Sequence, residues 1–209
     1  EAIQKWIEEN LAKHERIIFN GDGYSSSWVE EAERRGLPNL KTAVEATDVL
    51  SDNKVKKLFR DSNVLSEVEL HSRALIKYQN YANQAIIDAK TMSHMAHKQF
   101  IPASNQYLAR LASEIKDLKD TSLMVPSSTL FLAKKITVLL ETAGASLDKL
   151  DELLEEGTEY KGRDLAIFSR DKLIPAMKAL REPIDALELL VSKADWPVPS
   201  YGDLLFHTN

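Results

Sequence analysis

Three observations predict an all-α fold, an antiparallel bundle of three to four long helices with a small helical or irregular subdomain at its N-terminal end. First, no glycine stands between Gly36 and Gly144. A chain of strands needs a turn about every ten residues, usually built on Gly, Asn or Asp. Second, that glycine-free region is rich in Ala, Leu, Lys, Glu and Gln, which lose little on entering a helix. Third, apolar residues recur at three- and four-residue spacing over long stretches bounded by Gly or Pro, the pattern of amphipathic helices.

Composition sets the outer limits. The chain has 209 residues, 44% apolar and 28% charged, enough to bury a sizeable core and too apolar for disorder. It carries 32 acidic against 27 basic residues, a formal net charge of −5, which argues against nucleic acid as a partner. No apolar run approaches the roughly 18 residues of a membrane span. The absence of cysteine excludes a disulfide scaffold, a thiolate zinc site and a cysteine nucleophile, and fits a reducing cytoplasm. The opening Glu1-Ala2-Ile3-Gln4-Lys5-Trp6 lacks the basic start and apolar run of a signal peptide. Starting at Glu rather than Met, the sequence reads as a piece of a longer protein.

Residues 1–65 are expected to form a small adaptor subdomain. Ile3, Trp6, Ile7 and Leu11 mark a short amphipathic helix. Ile17-Ile18-Phe19 is a short apolar run, one strand or an extended segment, ended by Asn20-Gly21-Asp22-Gly23. Ser27 with Glu30 predicts a second short helix ended by Gly36 and Pro38, and Thr42 with Glu45 predicts the next.

Residues 66–209 are expected to hold the bundle. Ser66 with Glu69 forms a capping box, so a long helix starts near 66. Val68, Leu75, Ala82, Ala89 and Ala96 recur every seven residues, and Tyr78, Ala85 and Met92 share their face. The stretch Tyr81 to Ala96 has only Asp88 and Lys90 as charges, so this helix should be the most buried. Pro102 should kink or break it, after which Leu108, Leu111, Ile115 and Leu118 continue the stripe. The next helix starts after Pro126-Ser127-Ser128 with the stripe Leu132, Ile136, Leu139, Ala143, Leu147, Leu150 and Leu154, and stops at Gly157. Gly144 inside it marks a close helix crossing. A third stretch, about 163 to 194, carries Ile167, Ile174, Met177, Leu180, Ile184, Leu187 and Val191, with Pro175 and Pro183 bending or interrupting it. An extended tail rich in Pro and aromatics, 195–209, either folds back on the bundle or docks elsewhere.

The residues offer several candidate sites, and each has a plainer reading. Asn20-Gly21-Asp22-Gly23-Tyr24-Ser25 before a helix resembles a phosphate loop in outline, but Asp22 repels phosphate and the Gly-Lys-Ser/Thr of a P-loop is absent. A structural turn is the better reading. His94 and His97 share a helix face, but no Glu stands three residues before either, as a Glu-x-x-His bundle site requires. The acids Asp148, Asp151, Glu152, Glu155, Glu156 and Glu159 lie opposite a leucine stripe and read as a solvated face. Ser25-Ser26-Ser27 and Ser127-Ser128 form no Gly-x-Ser-x-Gly elbow. No catalytic, cofactor-binding or metal-binding residue is therefore assigned.

Four ordered blocks resemble the type III glutamine synthetases. Ile17 to Ser25 with Trp28 to Leu37 is similar to the segment after that family's catalytic region. Val64 to Arg73, Ile101-Pro102-Ala103 and Trp196 to Leu205 resemble its helical extension. Ser26 and Ser27 stand where the family has a more acidic pair. The resemblance implies a parent that joins ammonia to glutamate with ATP and a divalent metal, Mg or Mn, in a homo-oligomeric ring. It also implies that the nucleotide, glutamate and metal ligands lie upstream, so this piece lacks the catalytic domain and has no ligase activity alone. Its partners would be its own upstream catalytic domain and neighbouring subunits. The alternative is an independent helical interaction module with no enzymatic parent. A di-metal bundle enzyme would need Glu-x-x-His pairs on facing helices, which are missing.

Overall fold

A computed structural model describes residues 1–206. Among them are ten α-helices and no strand. Four short helices come first: α1 Ala2–Lys13, α2 Ser26–Arg34, α3 Ala43–Asp48 and α4 Asn53–Asp61. Three long helical rods follow. The first is α5 Glu67–Met95 continued by α6 Ile101–Asp120. The second is α7 Ser127–Glu156, and the third is α8 Gly162–Phe168 continued by α9 Ile174–Glu188. A five-residue α10, Tyr201–Leu205, closes the described chain.

The rods alternate in direction. Ser93 and His97 of the first meet Asp151 of the second, while Ile101 and Asn105, further along the first, lie beside Leu140 and Gly144, earlier in the second. These two rods are antiparallel. The third runs with the first, since Tyr81 lies beside Ile174 and Met92 beside Leu180 and Ile184. Short connections force this up-down-up order.

Helix starts follow their caps. Ser66 accepts from the Glu69 N–H at 3.3 Å, and the Glu69 carboxylate accepts from the Ser66 N–H at 2.8 Å. Thr42 and Glu45 form the same box at α3. At α2 the expectation shifts: the helix begins at Ser26 with Ser25 as its N-cap, and the Ser27 hydroxyl lies against that of Ser25 instead. The stop is as expected. Gly36 has φ +67°, and the Leu37 N–H reaches back to the Ala32 carbonyl, a turn that favours glycine. Ile17 ends a single 3₁₀ turn and Ile18 is extended, so the Ile-Ile-Phe run is no strand.

Pro102 and Pro175 do not break their rods. A proline lacks the N–H that bonds four residues back, and its ring collides with that carbonyl. Here one π-turn precedes each proline, over residues 96–100 and 169–173. The Ile101 N–H reaches five residues back to Ala96, and the Ile174 N–H does the same to Ser169. The backbone keeps right-handed helical angles throughout, as at Phe100 (φ −70°, ψ −50°). Both sites read Ile-Pro-Ala. Pro183 sits buried inside α9, again without ending it.

The main core gathers Ala89 and Ala96 with Ile136, Leu147, Leu150, Leu180 and Leu187. A second cluster joins Val44 of α3 to Ala74, Tyr78 and Ala82 of α5 and Leu165 and Ala166 of α8. The predicted seven-residue stripe of α5 is correct from Ala82 onward and wrong before it. Val68 and Leu75 are exposed, and Leu70 and Ala74 are buried in their place, while Tyr78 is buried as expected. A strict heptad drifts about 20° per repeat against a straight helix, so the stripe extrapolated back from Ala96 has rotated off the core by about 80° at Val68.

Two glycines differ from expectation. Gly144 has nothing within 4 Å of where a Cβ would be, so it marks no close crossing. Gly157 does follow the end of α7, but with φ −58°, not a left-handed angle. Its role is space, since a Cβ there would meet the Phe168 ring at 3.2 Å.

The tail folds back. Arg110 donates twice to Asp195, at 2.9 and 2.6 Å, and Trp196 stacks on Phe100 with ring centroids 5.2 Å apart. The tail, expected to be extended over 195–209, turns helical at α10, and residues 207–209 lie outside the described residues.

Candidate functional site

Two polar clusters cross between rods. The first is built on Asp48, the last residue of α3. Arg163 of α8 donates to both its carboxylate oxygens, Nε at 2.7 Å and Nη2 at 2.8 Å, and the buried Tyr78 of α5 donates its hydroxyl to Oδ1. The Arg163 hydrogen bonds, then the Tyr78 hydroxyl, hold the Asp48 carboxyl below the usual carboxylate range against its partial burial. Burial first, then Asp48, pushes the Tyr78 hydroxyl up to about 12. The group is a clamp that joins α3 to the bundle over the second core. Tyr78→Phe removes one hydrogen bond but keeps the Arg163–Asp48 pair and the ring packing. A loss of about 1 kcal/mol in unfolding free energy is expected, read by urea titration with unchanged slope.

The second cluster lies beside the first π-turn. Ser93 donates to Asp151 Oδ1 at 2.6 Å, and His97 Nε2 lies 2.7 Å from Asp151 Oδ2. Two features that were separate in the sequence, the histidine pair and the acidic cluster, thus meet through one member of each. His94 is exposed and is not part of it. The chemistry is that of a tie between rods. In nucleophilic catalysis the histidine stands between serine and carboxylate to take the serine proton. Here the carboxylate stands between serine and histidine, so His97 has no path to the Ser93 proton.

The other candidates resolve locally. In the Gly21–Gly23 loop Asp22 accepts from the Tyr24 N–H at 2.9 Å, and the Ser25 hydroxyl donates to the Asp22 carbonyl. The loop is a turn closed on itself, and Gly21 makes room for the Phe19 ring, which a Cβ would meet at 2.6 Å. Of the acidic cluster, Glu152 pairs with Lys149 at 2.8 Å and Glu156 accepts from Tyr160. Among the described residues no group of three His, Asp or Glu side chains could hold a metal ion. Among the described residues no helix is long and apolar enough to cross a membrane.

A groove of about 840 Å³ lies between α3, α5 and α9. It is lined by Ala46, Leu50, Tyr81, Ala85 and Met177, together with the charged Lys77 and Asp88. Their opposite charges supply no convergent acid–base pair for catalysis.

The described residues form an all-helical body, and the comparison with known proteins decides the family. The model of the glutamine synthetase C-terminal domain matches residues 2–119, more than half of the chain. The chain belongs to the glutamine synthetase C-terminal domain family. The likeness to type III glutamine synthetases read from four blocks therefore holds. The type-3 glutamine synthetase of Dictyostelium discoideum is 31% identical over 98% of this chain and 29% of its own length. The glutamine synthetases of Butyrivibrio fibrisolvens and Bacteroides fragilis (strain YCH46) are 28% and 26% identical over 99% of this chain, and 30% and 29% of their own lengths. The chain spans under a third of these relatives. The family match ends where the first rod ends, yet Leu111 and the alanines of that rod pack on α7 and α9. The glutamine synthetase C-terminal domain seen here thus draws its core from residues well beyond the matched segment.

Proposed function

We propose that this chain is the helical C-terminal domain of a type III glutamine synthetase. In that reading the full-length cytoplasmic protein ligates ammonia to glutamate with ATP and Mg or Mn. The domain helps assemble or shape a homo-oligomeric ring through its own catalytic domain and neighbouring subunits. One observation carries the reading: the relatives match nearly the whole chain, but the match fills under a third of them. The two polar clusters support it, since both tie helices together and neither is arranged to move a proton to a substrate. Family membership favours this over an interaction module with no enzymatic parent.

The test is a ligase assay with glutamate, ammonia, ATP and magnesium. Residues 1–209 alone are expected to give no glutamine above background, and the full-length protein is expected to turn over. Product from residues 1–209 alone would overturn the assignment.

A further inference from the structure

Helix α1 carries Ile3, Trp6, Ile7 and Leu11 on one face, and all four are exposed, at 76, 65, 45 and 53%. At 100° per residue they fall within one arc, which also takes in the half-buried Asn10, with Lys5, Glu8 and Glu9 on the opposite side. No residue of α1 is buried, and Glu1 provides no side-chain cap. A helix of 12 residues without tertiary packing is marginal in water, and amphipathic helices draw their stability from the surface they cover. The rods behave otherwise. Their exposed apolar residues, such as Val68, Ile87 and Val138, are scattered on helices whose other faces are buried.

We infer that this face of α1 docks on the catalytic part of the same polypeptide, the part that precedes this domain in full-length proteins. The inference rests on the proposed ligase reading and adds the surface of contact. Two observations select that occupant. The relatives carry more than two thirds of their length outside the matched region. The matching family is the C-terminal domain, and its match begins at residue 2, the first residue of α1. The helix is therefore the element nearest the remainder of the relatives. The docked surface is an apolar patch, about as long as three helical turns, that takes one indole and three aliphatic side chains.

Hydrogen exchange on the full-length protein tests this, comparing wild type with an Ile3→Glu/Ile7→Glu variant. Amides of residues 5–13 are expected to exchange at least about tenfold more slowly in wild type than in the variant, while amides of α7 are unchanged in both. Exchange of α1 at the rate of unstructured chain in wild type overturns the proposal. So does protection that disappears on dilution of the oligomer while the single chain stays folded, which assigns the face to a second copy. A ligase assay on the same wild-type sample separates the two readings. Protected α1 in a protein that makes no glutamine sinks the ligase reading and leaves the docked helix standing, whereas an active protein with unprotected α1 does the reverse.

Discussion

Leu150→Ala is expected to lower the unfolding free energy by about 2–5 kcal/mol, and the melting temperature by roughly 5–15 °C for a chain of this size. Leu150 is 0% exposed and sits on α7, the rod that faces both others. Its neighbours in the core include Leu147, Leu180 and Leu187, which are themselves held by helix backbones. Such walls relax little, so the removed methyl groups leave a cavity, and the cost exceeds transfer alone. Leu153, one turn on, offers the comparison. It lies near the end of α7 where a 3₁₀ turn follows, and local collapse there should reduce the penalty. Urea titration followed by circular dichroism reads both. A loss below about 1 kcal/mol at Leu150 would mean that the rods are not packed around it.

Asp48→Ala is expected to cost about 2–3 kcal/mol, the second large effect, because it strands the buried Tyr78 hydroxyl without an acceptor. The Arg163 side chain is half exposed and can turn to water, which limits its share. The pH dependence has a definite sign. The folded pKa of Asp48 is depressed by Arg163 and then Tyr78. Its contribution is therefore present above the ordinary carboxylate pKa of about 3.9 and is lost as pH falls through the folded value. The gap between wild type and Asp48→Ala should stay constant from about pH 5 to about pH 9 and close in acid. For Tyr78 the folded value is raised to about 12, so its contribution is full below the unfolded value near 10 and is lost as pH rises through 12. A gap that widens on acidification would contradict the clamp.

Most helix boundaries were readable because their causes are local. Ser66 with Glu69 and Thr42 with Glu45 announce starts through side chains three residues apart. Two stops carried no glycine signal. Asn63 and Ser122 take left-handed angles, φ 53° and 58°, and close α4 and α6 with the bond pattern that Gly36 uses at α2. Asn and Ser occur in too many contexts for this to be predicted. The site was less readable. His97 and Asp151 are 54 residues apart, and Asp48 and Arg163 are 115 apart. No pattern within one helix reports which acid on another rod a given side chain will face.

Spacing and composition were enough to establish three amphipathic rods with caps, because burying an apolar stripe at 3.6-residue periodicity is a property of each segment alone. The rotation of each rod about its own axis was settled by packing. At residues 96–100 and 169–173 one extra residue enters the turn, moving every later side chain about 100° around the helix. Ile174, counted on the apolar stripe, lies exposed because it stands about 100° off the face shared by Leu180, Ile184 and Leu187, on which the buried Leu173 falls. Whether a proline is met by a break or by a π-turn depends on the neighbouring rods, which hold the helix in line and reward its continuation with buried surface.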